Sequence, residues 1–480
     1  MATDTVAIPE ERGLETHGIE RVSPTTRTHV RIIDNFTMWM SANLVLSTVA
    51  VGALASVLGL GFWDSFIAIV IFNVLGTLPV AFFSTLGPRL GLRQMTISRF
   101  SFGWVGGIIM AFFNVAACIG WSTVNVIIGG QLVASLSNGA VPAWAGVLII
   151  AVLTTLVSIF GYRYVHRYER FAWIPLAIIF IIMFAVSVQH FSIVPSTTTL
   201  TLTGLVSFIT LGGAVYGFAT GWSSYAADYN VNQPENTPVS RVFWLTFLGV
   251  FVPCVVLETL GLLFTSNVPW GKDFANIGIG ALLTDVVHPL GGFGTFILAL
   301  LALSVIANNI PNDYSLGLSV QVFGRPFQRV PRYVWTLIGA VIYVAIALPN
   351  SSNFAATLQD FLFIIAYWLG PWAIILVLEH FVFRHGRYNV DDWNTASRLP
   401  MGWAAIISMA IGIVGVVLGA AQLKYVGPVA HALGGQFGMD VGFELGIIFA
   451  AVAYLILRNI EIRSARGRVG LGGEVGAGGE

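Results

Sequence analysis

Long apolar stretches alternate along the chain with short polar or Gly/Pro-rich segments. A helix of about 20 apolar residues crosses the hydrocarbon core of a bilayer, so each stretch predicts one membrane span. Numbered in chain order, the predicted spans are 34–60, 63–85, 106–135, 143–161, 171–189, 204–227, 241–265, 292–322, 333–348, 354–383, 402–421 and 440–458. The pattern therefore predicts an all-α integral membrane protein with about twelve transmembrane helices.

The remaining segments are too short for a large soluble domain. Residues 1–33 are polar and lack the apolar stretch of a signal peptide, so we expect a cytoplasmic N-terminal tail. Residues 34–383 would form a ten-helix transporter core, 384–401 a cytoplasmic loop, and 402–458 two additional spans. The Gly-rich segment 459–480 is expected to be a disordered cytoplasmic tail.

The positions of the basic residues support this count. With both termini in the cytoplasm, 21 of the 23 Lys and Arg residues fall on the inner side, and only Lys272 and Lys424 lie outside. Basic residues accumulate in cytoplasmic loops, so this asymmetry predicts the orientation. The expected location is the plasma membrane.

Composition excludes several classes of function. Only 10% of the residues are charged, against roughly 25% in a soluble domain, and the net charge is zero, so nothing indicates a nucleic-acid partner. Cys118 and Cys254 lie in apolar runs without a CxxC motif, so we expect neither a disulfide framework nor structural zinc. No Walker sequence occurs, and we expect no cofactor.

Span 3 places an aromatic ring and an amide on one helical face. Trp121 and Asn125 are four residues apart, near the middle of the span. An indole face beside an amide can stack on a flat heterocycle and hydrogen-bond to its edge. The alternative is a core Trp next to an Asn that bonds to a neighbouring helix.

Span 8 concentrates polar residues at its predicted centre: Asn308, Asn309, Pro311, Asn312 and Asp313. Proline removes a backbone hydrogen bond and is expected to kink or break the helix there. Freed carbonyls at that depth require protein or a polar cavity as partner. The cluster predicts a site rather than a purely structural network.

Spans 1 and 6 are interrupted at matching places. Span 6 has several glycines around Phe218 and Trp222, and span 1 has a polar interruption at Ser41 and Asn43. Glycines also mediate ordinary close packing of helices. Interruptions at corresponding places in two five-helix halves are typical of inverted-repeat transporters.

Two carboxyl groups are candidates for gating or coupling. Glu258 lies inside span 7, as a proton carrier or a structural hydrogen-bonding group, and Glu169 lies among arginines at the cytoplasmic start of span 5. For Glu169 a surface ion pair is the alternative to a gating role. No His lies at a span centre, so no histidine relay is expected. An intramembrane enzyme would need a His/Glu or Ser/Asp pair at matched depth, and the sequence offers none.

Several motifs together resemble the purine-cytosine permeases of the nucleobase cation symporter family one, in the amino acid-polyamine-cation transporter superfamily. The motifs include GIERVSPTTRTH before span 1, SANLVLSTVAVGAL within it, GWSTVNVIIGGQ, YERFAWIP and ANNIPNDYS. They agree in order and spacing, from about residue 18 to about residue 390. Beyond that the match is only hydropathic.

The resemblance implies a leucine-transporter-like fold with two inverted five-helix repeats, two further helices, and a site between spans 1, 3, 6 and 8. The residues that it implies for the nucleobase site are Ser41, Trp121, Asn125, Asn308, Pro311 and Asn312, with either Phe218 or Trp222 as the aromatic of span 6. Glu169 matches a glutamate important for function in the permease branch, and Asn309 and Asp313 join it as coupling candidates.

The expected coupling ion is a proton rather than sodium. Sodium-coupled relatives carry two adjacent hydroxyl residues before the eighth-span Asn, where this chain has Ile310 and Pro311. Hard cations require oxygen ligands, which neither side chain supplies. Under a different register, Ser304 would be the hydroxyl nearest to a Na⁺ site.

We therefore expect a secondary active transporter that imports cytosine or a purine by symport with a cation. The alternative within the class is an allantoin, hydantoin, uracil or vitamin permease on the same fold. Outside the class, a channel would conduct without saturating. The sequence does not indicate an oligomeric state.

Overall fold

A computed structural model of the chain describes residues 18–27, 29–160, 162–193, 201–422 and 425–473, with side chains described outside 160–172, 437 and 465–473. The helices of the twelve predicted spans are, in order, Asp34–Asn43 with Leu46–Val57, Phe62–Ser84, Arg99–Leu136, Ala143–Phe160, Tyr162–Ser187, Leu202–Thr220, Val239–Ser266, Gly292–Gln321, Arg332–Asn350, Phe354–Leu378, Trp403–Gly419 and Gly442–Gly473.

The multi-pass all-α architecture is confirmed. Within the described ranges, nine helices are long and apolar enough to cross a membrane, and the bent first span makes ten. The helices of spans 4 and 11 are equally apolar but slightly shorter. Apolar side chains on the outer surfaces of the spans, such as Val105, Ile181 and Val341, are exposed, as a lipid environment allows.

Short elements connect the spans. The α-helical ones are Leu86–Leu90, Gln94–Ile97, Val268–Asn276, Ile279–Val287, Arg325–Gln328 and Pro428–Gly434. The 3-10 and π-helical segments are Pro24–Thr26, Val188–His190, Gly221–Tyr229, His288–Leu290, Glu379–Phe383, Val390–Asn394 and Gly435–Phe437. One antiparallel pair of two-residue strands, Ala421–Gln422 and Tyr425–Val426, lies between spans 11 and 12.

Span 1 is broken where the polar interruption predicted it. Its two helices meet at 52° across Leu44 and Val45, and Val45 is extended. Side chains partly replace the interrupted backbone bonds: Thr48 donates to the Asn43 carbonyl at 2.7 Å, and Asn43 donates to the Trp39 carbonyl at 2.9 Å. Satisfied backbone groups make a break tolerable inside a membrane.

The backbone changes at the predicted interruption of span 6 but stays helical at that of span 8. The α-helix of span 6 ends at Thr220 and continues as the 3-10 segment Gly221–Tyr229. Span 8 runs from Gly292 to Gln321 with Pro311 inside it, so the proline does not break the helix. Buried neighbours on both sides of Pro311 hold the span in one helical segment despite the missing donor.

The last span is longer than its apolar stretch. We expected it to end at residue 458 and to be followed by disorder, whereas its helix continues to Gly473. Arg458 and Glu461 extend the helix as an ion pair one turn apart, with Arg458 Nη1 2.6 Å from Glu461 Oε2. Hydropathy marks where a helix leaves the hydrocarbon, and paired charges allow it to continue beyond that point.

Candidate functional site

Four asparagines from spans 3 and 8, three of them buried and Asn308 partly buried, form one amide cluster. Asn309 Oδ1 accepts hydrogen bonds from Asn125 Nδ2 and from Asn312 Nδ2, each at 3.2 Å. Asn308 Nδ2 donates to Asn125 Oδ1 at the same distance. Asn125, Asn309 and Asn312 are at most 3% exposed, so none of these amides faces lipid. The predicted residues of the two spans therefore converge, with Asn309 as the shared acceptor.

Two donors, one within this cluster and one next to it, have no partner among the described residues. They are Asn309 Nδ2 and the indole Nε1 of Trp121, and both atoms are buried. A buried donor without an acceptor costs about 1–3 kcal/mol, so such atoms are rare unless another molecule satisfies them. The arrangement therefore offers two hydrogen-bond donors to an acceptor-bearing solute.

Trp121 is enclosed by aromatic rings of spans 6 and 10. Its ring lies edge-to-face with Phe218 at 5.4 Å and with Phe361 at 4.9 Å between centroids. Gly221 lies directly against the indole, and a Cβ there would come within 2.8 Å of Trp121 Cζ2. The absence of a side chain at Gly221 thus lets span 6 approach the ring at the point where its α-helix ends.

Trp222 faces the break of span 1. Its indole Nε1 donates to Asn43 Oδ1 at 2.9 Å, and its ring packs against Trp39 and Tyr225 at 5.4 Å and 5.5 Å. Tyr225 in turn donates from its hydroxyl to Asn312 Oδ1 at 3.4 Å. Phe218 therefore contacts Trp121 directly, while Trp222 reaches the amide cluster through Tyr225.

Ser41 and Pro311 lie at the edges of this arrangement. The Ser41 hydroxyl accepts a hydrogen bond from the Trp173 backbone N–H at 3.2 Å, which ties the first helix of span 1 to span 5. Pro311 is buried and precedes Asn312 in the same helix. Ser41 thus links spans 1 and 5, and Pro311 adjoins the amide cluster along span 8.

The sequence pattern did not assign Asn43, Tyr225 or Phe361 to the site. Asn43 marks the polar interruption of span 1, but only the fold shows that its side chain reaches Trp222. Tyr225 follows Trp222 by three residues, a spacing that places two rings on one helical face. Phe361 lies in an apolar span and carries no such signal.

The carboxyl candidates occupy separate places. Asp313 Oδ2 accepts from the Ser158 hydroxyl of span 4 at 2.7 Å, and Glu258 Oε2 accepts from Asn73 Nδ2 of span 2 at 2.6 Å. Neither carboxylate bonds to the four asparagines in the described structure. The backbone of Glu169 lies in the helix of span 5, but its side chain is outside the described part.

The residues considered for cation binding are Ser304, Ile310 and Pro311 of span 8. Ser304 donates its hydroxyl to the Leu301 carbonyl of its own helix at 2.7 Å. Among the described residues no group of three His, Cys, Asp or Glu side chains could hold a metal ion. Ile310 and Pro311 are both buried in the helix of span 8.

Hydrogen bonds join the spans at the end expected to be extracellular. Gln131, in span 3, donates to the Ile277 carbonyl at 3.3 Å and to the Ser351 carbonyl at 3.4 Å. Its Oε1 accepts from the Gly280 N–H at 3.4 Å. One side chain thus connects span 3, the surface helices after span 7, and the turn between spans 9 and 10.

A second set joins the spans at the opposite end. Asp228 accepts from the Gln94 N–H at 2.7 Å through its carboxylate and from Arg93 Nη1 at 2.6 Å through its carbonyl. Asn35, at the beginning of span 1, donates to Gln233 Oε1 at 3.2 Å. The amide cluster therefore lies between two hydrogen-bonded ends of the bundle.

Comparison with known proteins shows which family this chain resembles. A family profile described as "Permease for cytosine/purines, uracil, thiamine, allantoin" matches residues 22–446, which extends the similarity beyond the motifs into the last two spans. The chain is 44% identical over 465 residues to purine-cytosine permease fcyB of Emericella nidulans, covering 94% of this chain and 90% of that protein.

Solved structures show the same fold. An inward-facing structure of Mhp1 matches with a TM-score of 0.74 at 14% identity, covering 95% of this chain and 96% of that one. A closed structure of Mhp1, a nucleobase-cation-symport-1 family transporter with bromovinylhydantoin bound, matches with a TM-score of 0.71 at 14% identity, covering 93% and 96%. The fold is thus the leucine-transporter-like one, and the chain belongs to the purine-cytosine permeases of the nucleobase cation symporter family one.

Proposed function

We propose that this permease imports a nucleobase, cytosine or a purine, across the plasma membrane by symport with a proton, with both termini in the cytoplasm. The observation that carries the proposal is the amide cluster next to Trp121, with two donors, Asn309 Nδ2 and Trp121 Nε1, that have no partner among the described residues. The 44% identity to a purine-cytosine permease supports the same substrate class.

The chemistry of the cluster suits a nucleobase. Cytosine and the purines are planar and carry ring-nitrogen or carbonyl acceptors, which Asn309 Nδ2 and Trp121 Nε1 could satisfy. The asparagine oxygens could accept from an exocyclic amino group. Because the site is closed to water, an unmatched polar edge would be penalised, and this penalty would give selectivity.

Import would proceed by alternating access. The bonds of Gln131 hold one end of the bundle together, and those of Asp228 and Asn35 hold the other. Breaking one set while the other persists would open the site to one side at a time. The broken helices of spans 1 and 6 end beside the site and are suited to move with these contacts.

Two features favour proton over sodium coupling. Ile310 and Pro311 offer no side-chain oxygen, and the Ser304 hydroxyl is directed to its own helix. Two buried carboxyl groups, Glu258 and Asp313, offer places for a proton. We expect no catalysed reaction.

Uptake of radiolabelled cytosine tests the site. We expect Asn125→Ala and Asn312→Ala to abolish uptake while the protein remains in the membrane, because each removes a partner of the base edge or of Asn309 at a cost of about 1–3 kcal/mol.

A matched control is Asn350→Ala at the end of span 9, whose amide donates to the Ile346 carbonyl of its own helix. This variant should take up cytosine normally. Normal uptake by both Asn125→Ala and Asn312→Ala would contradict the site assignment.

Competition by unlabelled hypoxanthine, uracil and allantoin separates the candidate substrates. Inhibition by hypoxanthine alone supports a purine-cytosine permease. Inhibition by uracil or allantoin, with no inhibition by hypoxanthine, would favour the alternative permeases that the family description includes.

A further inference from the structure

Glu258 is a carboxyl group buried between spans 7, 2 and 1, away from the amide cluster. It is 0% exposed, and its Oε2 accepts from Asn73 Nδ2 at 2.6 Å. Asn73 is also 0% exposed and donates to the Ile69 carbonyl of its own helix. The pair therefore lies inside the protein and not at the lipid surface.

Glu258 and Asn73 each have a side-chain oxygen that receives no hydrogen bond from a described residue. Glu258 Oε1 and Asn73 Oδ1 are both buried and lack a partner in the described part of the chain. A carboxyl proton on Oε1 would supply the missing donor for an amide oxygen, while the amide N–H continues to donate to Oε2. The unfilled positions thus match one bound proton.

The ionised form of Glu258 would need a cation beside it. Among the described side chains no Lys, Arg or His forms an ion pair with Glu258. A carboxylate buried without a cation is strongly disfavoured, so the closed conformation holds this group neutral. Ionisation would require exposure to water in another conformation.

Glu258 is connected to the break of span 1. Cys254, one turn earlier on span 7, lies with its Sγ 3.4 Å from Asn43 Oδ1, the atom that also accepts from Trp222. The backbone of span 7 at Glu258 packs directly against Gly52 in the second helix of span 1. A movement of span 7 at Glu258 would therefore shift the residues on both sides of the helix break in span 1.

We propose that Glu258 binds the proton that is carried with the base. The inference rests on the proposed function. The carboxylate would take a proton from water on the outer side, become the neutral partner of Asn73 as the site closes, and release the proton to water on the inner side. The base moves in the same cycle without exchanging a proton with Glu258.

Several titratable groups lie on span 7 or on the elements that pack against it. Span 7 itself carries Cys254 and Arg241. The titratable groups on the described elements packed against it are Asp34 in the first helix of span 1, Asp64 near the beginning of span 2, Tyr216 in span 6, Lys272 and Asp273 in Val268–Asn276, and Asp285 in Ile279–Val287, with none in Leu46–Val57 or Trp173–Ser187. Asp313 is the competing buried carboxyl, and its Oδ2 accepts instead from the Ser158 hydroxyl of span 4.

The test uses the purified full chain in proteoliposomes without sodium. Counterflow of radiolabelled cytosine at equal pH measures exchange, and a pH step, acid outside, measures accumulation. With one proton per base, a step of one pH unit supports roughly tenfold accumulation by the wild type. Glu258→Gln should keep counterflow and lose accumulation, whereas Asp313→Asn should keep the wild-type ratio of accumulation to counterflow.

A structural role predicts a different result. Glutamine retains an acceptor for Asn73 Nδ2 and a donor for Asn73 Oδ1, so a structural Glu258 would be replaced without loss of pH-driven accumulation. Accumulation by Glu258→Gln, or its loss in Asp313→Asn with Glu258→Gln unaffected, would overturn the inference. Wild-type protein without counterflow of any base would contradict the proposed function itself, and accumulation only with a sodium gradient would contradict proton coupling.

If Glu258→Gln loses counterflow as well, labelling of the wild type decides. Dicyclohexylcarbodiimide reacts with protonated carboxyl groups in apolar surroundings, and mass spectrometry locates the adduct. We expect labelling of Glu258 that declines as the pH on both sides is raised, because a carrier is exposed to water during its cycle. Labelling that does not depend on pH, or no labelling of Glu258, would contradict the inference.

Discussion

At the scale of single residues, the site is organised around atoms that the protein itself leaves unsatisfied. Asn309 Oδ1 accepts two hydrogen bonds. In contrast, the Nδ2 of Asn309 and the indole N–H of Trp121 donate to no described residue. These two donors leave the cluster able to bond the acceptors of a solute without giving up the hydrogen bonds between its asparagines.

Replacing Trp121 with Phe tests one of these donors separately from the ring. The phenyl ring keeps aromatic contact with Phe218 and Phe361 but has no N–H, so the Km for cytosine should rise about tenfold. Thermal stability should change little, because no hydrogen bond within the described structure is lost. Uptake kinetics and thermal unfolding in detergent measure the two effects.

The matched control is Trp372→Phe. The indole of Trp372 donates to the Ser98 hydroxyl at 3.3 Å and lies outside the amide cluster. This variant should lose stability by about 1 kcal/mol and keep its Km. A wild-type Km for Trp121→Phe would show that its N–H does not meet the base.

The spacing of residues along the sequence predicted which site residues share a helical face. Trp121 and Asn125 share a helical face because they are four residues apart, and the same holds for Asn308 and Asn312. The role of Asn309 as the common acceptor depends on how span 8 is rotated against span 3, which spacing along one helix does not determine. The reach of Tyr225 to Asn312 depends likewise on the 3-10 course of span 6.

At the level of helices, the broken first span packs against span 7 through glycines that let the two backbones touch. A Cβ added at Gly52 would overlap the Glu258 carbonyl, and one at Gly261 would overlap the Val49 carbonyl. The second helix of span 1 and span 7 therefore pack backbone to backbone, as small residues allow in membranes.

Gly52→Ala should push these two helices apart. Overpacking costs about 1–3 kcal/mol, so we expect a lower midpoint of thermal unfolding and weaker pH-driven uptake. Gly292→Ala, at the beginning of span 8 where an added Cβ meets no atom within 4 Å, is the control and should leave both unchanged. Equal midpoints for the two variants would contradict the close packing.

The break itself was predictable because polar residues interrupt an apolar span at Ser41 and Asn43. The uninterrupted helix at Pro311 was not, since a missing backbone donor is tolerated where neighbouring helices cover the region. Local sequence therefore locates unusual backbone more readily than it determines the backbone's course.

At the scale of the whole molecule, a buried ionic network fastens the last span to the core. Glu379, in the π-helical end of span 10, accepts from Arg458 at 2.7 and 2.9 Å, from Arg384 at 2.8 Å and from the Tyr454 hydroxyl at 2.8 Å. Arg458 also pairs with Glu461, which accepts from the Gly402 N–H before span 11. The network joins spans 10, 11 and 12.

Glu379→Ala leaves Arg458 with only part of its negative partners. Removing one member of a buried ion pair costs about 3–5 kcal/mol, so the thermal midpoint in detergent should fall clearly. Asp391→Ala, which breaks the exposed pair with Arg21, should change stability by less than about 1 kcal/mol. A fall no larger than that of Asp391→Ala would contradict a structural role for the network.

The succession of long apolar helices was predictable from hydropathy, because the bilayer fixes the length of an apolar helix. The helical continuation of span 12 was not, because it depends on charges paired across residues far apart in sequence, such as Glu379 and Arg458. Whole-molecule features that rest on such pairs are visible only in three dimensions.

The decisive measurement for the site is an experimental structure of the purified protein with cytosine bound. We predict that the base lies against Trp121, with acceptor atoms within hydrogen-bond distance of Asn309 Nδ2 or Trp121 Nε1 and its edge facing Asn125 and Asn312. A base bound elsewhere in the bundle, with no contact to these four residues, would contradict the account.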